Sequence, residues 1–125
     1  MQLLVASGHE VIMEDGAGKE AKFSNHDFSE AGAEIVNDRA KVFASPIIIK
    51  VAFPTLEEIQ LMKHNQVLIS ALHASMMQKE CLDELLKKKT TAVAYELLKD
   101  DSEHFPVVQS MSEIAGGASI LIASE

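Results

Sequence analysis

The sequence is poor in the residues from which several kinds of protein site are built. Its 125 residues include one cysteine, one tyrosine, three prolines and no tryptophan. Since Cys81 has no partner, an internal disulfide is excluded, and no Cys-His set has the spacing of a zinc site. We therefore predict no metal site and a reducing compartment, the cytoplasm.

Positive charge is also scarce. The chain has 11 Lys and Arg residues against 19 Asp and Glu residues, which gives a net charge of -8. This balance argues against nucleic acid and against an anionic membrane surface, because both require a basic face. No apolar run approaches the roughly 20 residues that cross a bilayer, and no basic segment precedes the apolar stretch Met1 to Ser7. Small molecules and proteins are the expected partners.

Short apolar and β-branched runs recur along the chain, and they predict strands that alternate with helices. A hydrophobic content of 47% suits one soluble domain, residues 1–125. The predicted strands are Glu10 to Glu14, Ala33 to Val36, Ile47 to Phe53, Val67 to His73 and Thr91 to Leu97. The pattern indicates an α/β fold of three layers, with a mostly parallel sheet and helices on both faces, as in flavodoxin-like and Rossmann-like folds.

Capping signals mark the beginnings of the predicted helices. They are Ser24 with Asp27, Asp38, Thr55 with Glu58, and Ser110 with Glu113 after an extended Phe105 to Val108. Met77 to Lys89 is predicted to be an amphipathic helix, because its apolar residues recur on one side.

Both ends of the chain read as interrupted elements. Met1 to Ser7 resembles the last turns of a helix that stops at Gly8, and Ile114 to Ser124 is still helical and apolar at the end. We therefore expect a fragment of a larger domain, truncated at both ends. Loss of a central strand would leave an open sheet edge, which predicts a homo-oligomer.

His73 is the first candidate for chemistry, because it ends a buried strand where parallel sheets build ligand sites. Histidine exchanges protons near neutral pH. The alternative is a histidine that only hydrogen-bonds a nearby loop. Lys50 is the second candidate, since a lysine inside an apolar strand requires a carboxylate, a ligand or a wet edge.

Other polar groups are predicted near the same edge of the sheet. Tyr95 and Glu96 close the next strand, where they are either structural or part of the site. The segment from Ser110 to Gly117 offers a helix N-terminus that attracts anions, although a capped helix without a ligand is the default interpretation, because capping boxes are common. No self-sufficient cofactor motif, such as G-x-G-x-x-G or a Walker loop, is present.

Several segments in order resemble one family, the N-terminal domain shared by alanine dehydrogenases and the alpha subunit of the proton-translocating NAD(P) transhydrogenase. They are G-H-E-V-I-M-E-D-G-A-G (8–18), F-S-N-H-D-F-S-E-A-G-A-E-I (23–35), I-I-I-K-V (47–51), L-H-A (72–74), T-A-V-A-Y-E (91–96) and M-S-E-I-A-G (111–116). Together they cover nearly the whole chain, and the histidine and the Y-E pair favour the dehydrogenase branch.

The resemblance implies the substrate-side domain of an NAD-dependent, two-domain enzyme that interconverts an amino acid and a 2-oxo acid. It implies that His73 is the catalytic proton donor and acceptor. Met111 matches a substrate-side position, and Ser110 and Ser112 match positions on the nucleotide side. A separate Rossmann domain would hold most of the NAD.

One segment departs from the family. Where the dehydrogenases read K-V-K-E-P, this chain reads K-V-A-F-P, so Ala52 replaces the lysine that holds the substrate carboxylate. Lys50 matches the first lysine and is the remaining candidate for substrate binding. Alternatives are a domain that binds or assembles without catalysis, or an unrelated receiver-like module, for which Asp15 alone gives little support.

Overall fold

The computed structural model describes residues 1–73 and 76–123, along which helices and strands alternate. Its strands are β1 (Ile12–Glu14), β2 (Glu34–Val36), β3 (Ile47–Ile49), β4 (Val67–Ser70) and β5 (Thr91–Ala94). Its α-helices are α1 (Gln2–Ala6), α2 (Asn25–Glu30), α3 (Arg39–Phe43), α4 (Leu56–Leu61), α5 (Lys79–Lys87) and α6 (Pro106–Ala123). The α/β class is confirmed. Ala74, in a matching segment, and Ser124, in the predicted final helix, lie outside the described residues.

All strand pairing is parallel, but the strands form two sheets where one was expected. One sheet pairs β1 with β2, and the other has the order β3-β4-β5. Helix α2 connects β1 to β2, α4 connects β3 to β4, and α5 connects β4 to β5, as parallel pairing requires. Helix α3 leads from β2 to β3 without pairing them, so the sheet is divided at that point.

The core lies on the side of the three-stranded sheet that carries the helices. Its buried residues are Phe43, Ile48, Ile59, Met62, Leu68, Cys81 and Leu85. The other face of the sheet is open to solvent at β3, because Ile48 is 5% exposed whereas Ile47 and Ile49, which point the other way, are 53% and 65% exposed. Within residues 1–73 and 76–123, helices therefore cover one face of β3 and not both.

The capping signals predict the beginnings of α2, α3 and α4 correctly. Ser24 and Thr55 both form complete capping boxes, and the Asp38 side chain accepts the N–H of Ala40. Helix α5 is shorter than predicted, and its apolar stripe is confirmed in part, because Cys81 and Leu85 are buried whereas Leu82 and Leu86 are exposed.

The predicted beginning of the last helix is wrong. Helix α6 begins at Pro106, a position where proline is favoured because the first helical N–H has no partner. Ser110 lies one turn inside, and its Oγ donates to the Pro106 carbonyl at 2.9 Å. Ser110 therefore does not lie at a helix N-terminus, and the anion site predicted there is wrong. Much of α6 is exposed and apolar, yet no helix among the described residues has both the length and the hydropathy of a membrane span.

Strands β3 and β4 end earlier than their apolar runs do. Strand β3 ends at Ile49 and β4 at Ser70, so Val51 to Phe53 and Ala71 to His73 lie in loops. Both loops lie at the carboxyl edge of the parallel sheet, which is the edge where α/β proteins bind ligands.

Candidate active site

A cleft of about 350 Å³ lies between the carboxyl ends of β4 and β5 and the first turns of α6. Its walls combine small apolar side chains with a few polar groups, which is the usual composition of a small-molecule site. The lining residues are Ala71, His73, Tyr95, Glu96, Val108, Met111, Ser112 and Ala115.

His73 is exposed in this cleft, and its backbone is in the left-handed region with φ of 41°. Few residues other than glycine adopt this region, although histidine does so more often than most. Strained backbone that is held in place by its surroundings is a feature of functional sites. The strand end therefore presents the imidazole at the surface of the cleft.

The carboxylate of Glu96 holds the backbone of His73 in this conformation. Its Oε1 atom accepts the N–H of Leu72 and the N–H of His73, each at 2.9 Å. Glu96 lies in the 3-10 turn that follows β5, so the end of one strand fixes the loop after its neighbour. Its Oε2 atom is buried and has no hydrogen-bond partner among the described residues.

The environment of Glu96 keeps its carboxyl group ionised at neutral pH. Burial by itself would raise the pKa, but the backbone N–H bonds to His73, to Glu96 itself and to Leu72 outweigh it. The electrostatic interaction with His73 lowers the pKa of Glu96 further, so the net shift is downward. The site thus places a carboxylate next to a histidine.

Helix α6 supplies the opposite wall of the cleft. The structure brings Met111 and Ser112 together with His73, as the sequence predicted, and Met111 is 49% exposed. Val108 and Ala115 extend this wall with apolar surface. Ser110 does not line the cleft, and its role in cofactor binding stays a prediction without the helix terminus that motivated it.

Lys50, like Ser110, lies outside the lining of the cleft. Its ammonium forms a salt bridge with Glu58 Oε2, and that carboxylate also accepts the N–H of Thr55 at 2.8 Å. Arg39 lies 3.8 Å from the other oxygen of Glu58. Of the explanations for a lysine in this strand, pairing with a carboxylate is the one observed, and binding of substrate by Lys50 stays untested.

Glu58 is a buried carboxylate, only 6% exposed, yet it is ionised. Burial raises its pKa, but the bonds from Lys50 and from the Thr55 N–H, with the charges of Lys50 and Arg39, outweigh this and lower the pKa overall. The pair is therefore a satisfied element of the scaffold.

The sequence predicts that Tyr95 and Glu96 lie at the edge of the sheet that carries His73, but it does not decide whether they belong to the site. Their position at the end of the next strand was the available signal. Ala71, Val108 and Ala115 gave no signal, because small apolar side chains carry no chemical signature in a sequence.

A second cleft, of about 390 Å³, lies near α1 and α2 and lacks this chemistry. Its walls include Leu3, Phe23 and Phe28, and its one carboxylate, Asp27, is engaged in the capping box with Ser24. In the part of the chain that is described, no three His, Cys, Asp or Glu residues are grouped as in a metal site.

The family model "Alanine dehydrogenase/PNT, N-terminal domain" matches residues 1–115. The chain belongs to this family. An alanine dehydrogenase of Staphylococcus saprophyticus is 38% identical over 122 residues, which are 98% of this chain and 33% of that protein. An alanine dehydrogenase of Mycolicibacterium smegmatis is also 38% identical, over 97% of this chain and 33% of its own length.

Solved structures agree with this assignment. An L-alanine dehydrogenase superposes with a TM-score of 0.86 and 33% identity, over 97% of this chain and 33% of that one. A transhydrogenase from Sinorhizobium meliloti superposes with a TM-score of 0.68 and 24% identity over 78% of this chain and 29% of that one, which is a likeness of fold. The chain spans about a third of the length of the curated relatives it matches.

Proposed function

We propose that the chain is the substrate-side domain of an alanine dehydrogenase-type oxidoreductase, which uses NAD to convert an amino acid and water reversibly into a 2-oxo acid and ammonia. The observation that carries the proposal is His73, held by Glu96 in a cleft of a chain that belongs to this family. A transhydrogenase-type role is less favoured, because the transhydrogenase structure is 24% identical to the chain, whereas the L-alanine dehydrogenase structure is 33% identical.

His73 is the acid and base in this proposal. Its imidazole takes up the proton released when the amino carbon is oxidised, and it returns that proton in the reverse direction. The ionised Glu96 fixes the His73 backbone, so the imidazole is held in position before the substrate arrives. Val108 and Met111 form an apolar wall on one side of the cleft.

The cleft also fits the reactive end of NAD. Met111 and Ala115 present apolar surface for a flat ring, and Ser112 provides a hydroxyl for its amide. When bound, NAD supplies the hydride acceptor. The cleft has no Lys or Arg among its lining residues to hold the phosphates, so we assign those to another domain of a two-domain enzyme.

The proposal includes a cytoplasmic, homo-oligomeric enzyme. The single cysteine, Cys81, is buried and has no second cysteine in the sequence with which to form a disulfide, which supports a reducing compartment. The exposed Ile47 and Ile49 on the outer face of β3 support association, because large apolar patches are normally covered.

A chimera tests the proposal. The chain would replace the matching third of the Staphylococcus saprophyticus alanine dehydrogenase, and formation of NADH would be measured with L-alanine and a panel of other L-amino acids. We expect amino-acid oxidation. A folded chimera that binds NAD but oxidises none of the panel would contradict the proposed function.

A second measurement uses the chain by itself, so it does not depend on whether the chimera folds. Pyruvate, L-alanine and NAD would be titrated into the 125-residue chain, with backbone amide signals observed by NMR. Shifts confined to His73, Glu96 and Met111 would support the cleft as the site. Uniform or absent shifts would oppose it.

A binding or assembly domain without catalysis is the second candidate. It is favoured by Ala52, which replaces the lysine that the family resemblance predicts, and by the engagement of Lys50 with Glu58. Under this alternative the chimera binds NAD and oxidises no amino acid. Recovery of activity in an Ala52→Lys chimera would then show that only the carboxylate anchor had been lost.

A further inference from the structure

The carbonyl oxygen of Val51 is the point where the ends of all three strands of the larger sheet are joined. It accepts the N–H of Ala71, from the loop after β4, at 3.3 Å. It also accepts the hydroxyl of Tyr95, from the turn after β5, at 2.7 Å. Since β4 lies between β3 and β5, the tyrosine reaches across the end of the central strand.

The two bonds to this carbonyl differ in strength. A distance of 3.3 Å is beyond the usual range for N–H···O bonds, whereas 2.7 Å is the preferred distance for O–H···O bonds. The loop after β3 has little packing to hold it, because Val51 is 74% exposed and Ala52 is also exposed. Lys50, the residue before, is held by its own N–H bond to the Ile69 carbonyl at 2.9 Å, so the Tyr95 hydroxyl is the main hydrogen bond only on the Val51 carbonyl.

Tyr95 and Glu96 are consecutive, and each holds a different loop. Tyr95 holds the loop after β3 through Val51, and Glu96 holds the loop after β4 through Leu72 and His73. Because both act from one short 3-10 turn, they set the distance between the two loops.

We infer that Tyr95 is a positioning residue, whose hydroxyl fixes the backbone of Val51 and Ala52 relative to His73. The inference rests on the proposed function only where it assigns that loop to the substrate carboxylate. The restraint itself is a property of the folded chain, so it is measured separately from activity.

The restraint is tested with Tyr95→Phe, which removes the hydroxyl and keeps the ring. Amide hydrogen exchange of the full 125-residue chain would be followed by NMR. We expect exchange at Ala71, whose N–H bonds the same Val51 carbonyl as the Tyr95 hydroxyl, to accelerate by about tenfold, the effect of losing one hydrogen bond. The amides of Leu72 and His73 should change by less than about twofold, because Glu96 still holds them.

Ser7→Ala is the matched control. It also removes a side-chain bond to a backbone carbonyl, that of Leu3 at 2.8 Å, but at the end of α1. It should leave exchange at Ala71 unchanged. An equal acceleration at all amides of β3, β4 and β5 in Tyr95→Phe, or no acceleration at Ala71, would overturn the inference.

If Tyr95→Phe does not fold, the wild-type chain still provides a test. A slowly exchanging Tyr95 hydroxyl proton, visible by NMR, supports the bond to Val51. A hydroxyl that exchanges as fast as that of free tyrosine contradicts it.

The functional consequence is tested in the chimera. Tyr95→Phe should raise KM for the amino acid severalfold and leave kcat within about twofold, because uniform binding is lost and the proton transfer at His73 is not. Unchanged KM would overturn the link to substrate. A chimera that is inactive even with Tyr95 present contradicts the proposed function, while the exchange experiment still decides the positioning role.

Discussion

Two carboxylates at the ends of the larger sheet have similar local bonds and different surroundings. Glu58 accepts the N–H of Thr55 and contacts Lys50 and Arg39. Glu96 accepts two backbone N–H groups, and no salt bridge joins it to a Lys or Arg among residues 1–73 and 76–123. A charge that is balanced by two cations is part of the scaffold, whereas a charge balanced by the backbone beside a histidine is positioned for chemistry.

The strongest test of this distinction is His73→Asn in the chimera. Asparagine tolerates the left-handed backbone that His73 adopts, but it does not exchange protons near neutral pH. We expect kcat to fall by about 10²-fold to 10⁴-fold, with an unfolding free energy close to that of the wild type. Full activity in His73→Asn would remove His73 from the acid-base role.

Glu58→Ala should have the opposite profile, with a large loss of stability. Removing Glu58 leaves the half-buried Lys50 without its partner and the Thr55 N–H without its acceptor, which together cost about 3 kcal/mol. Urea unfolding of the chain measures this. The control is Glu57→Ala, which removes the same charge from an exposed neighbour. Equal losses in the two variants would show that the pair with Lys50 contributes little.

Glu96→Ala should destabilise the chain less than Glu58→Ala does. Two N–H groups lose their acceptor, which costs about 2 kcal/mol if both stay away from water. Glu96→Gln is the matched control, because its amide oxygen still accepts both N–H groups. Exchange at Leu72 and His73 should accelerate in the alanine variant and stay close to wild type in the glutamine variant. Acceleration in both would mean that the negative charge, and not the acceptor geometry, holds the loop.

The smallest effect is a dependence of stability on pH. The folded-state pKa values of Glu58 and Glu96 are both lowered. Their contribution is therefore complete above the unfolded value of about 4.3, and it is lost as the pH falls through the folded values. We expect the unfolding free energy to decrease below about pH 4, with a shallower decrease in Glu58→Gln. The same slope in that variant would exclude Glu58 as a source of the pH dependence.

The sequence predicted the local structure well where one short segment contains the whole signal. Ser24 with Asp27 and Thr55 with Glu58 are complete capping boxes, because both partners lie within one turn. Ser110 with Glu113 has the same pattern and does not cap a helix. Pro106 already supplies a favourable helix beginning four residues earlier, so Ser110 bonds back to that residue instead.

The candidate site was predicted in part. The end of an apolar strand located His73, and the resemblance located Met111 and Ser112 in the same cleft. The place of Lys50 was not predicted, because its partner Glu58 belongs to the next helix and serves its capping box at the same time. No pattern in the sequence indicates which of two neighbouring elements receives a charged side chain.

The sequence by itself determined the α/β class, the parallel pairing and the positions of the strands, because apolar periodicity and capping act over a few residues. The tertiary structure decided how the strands divide into two sheets and how the site is held. Glu96 and His73 are 23 residues apart, and Tyr95 and Val51 are 44 residues apart. Contacts over such separations form only when the strands pack side by side, and for that reason no local pattern specifies them.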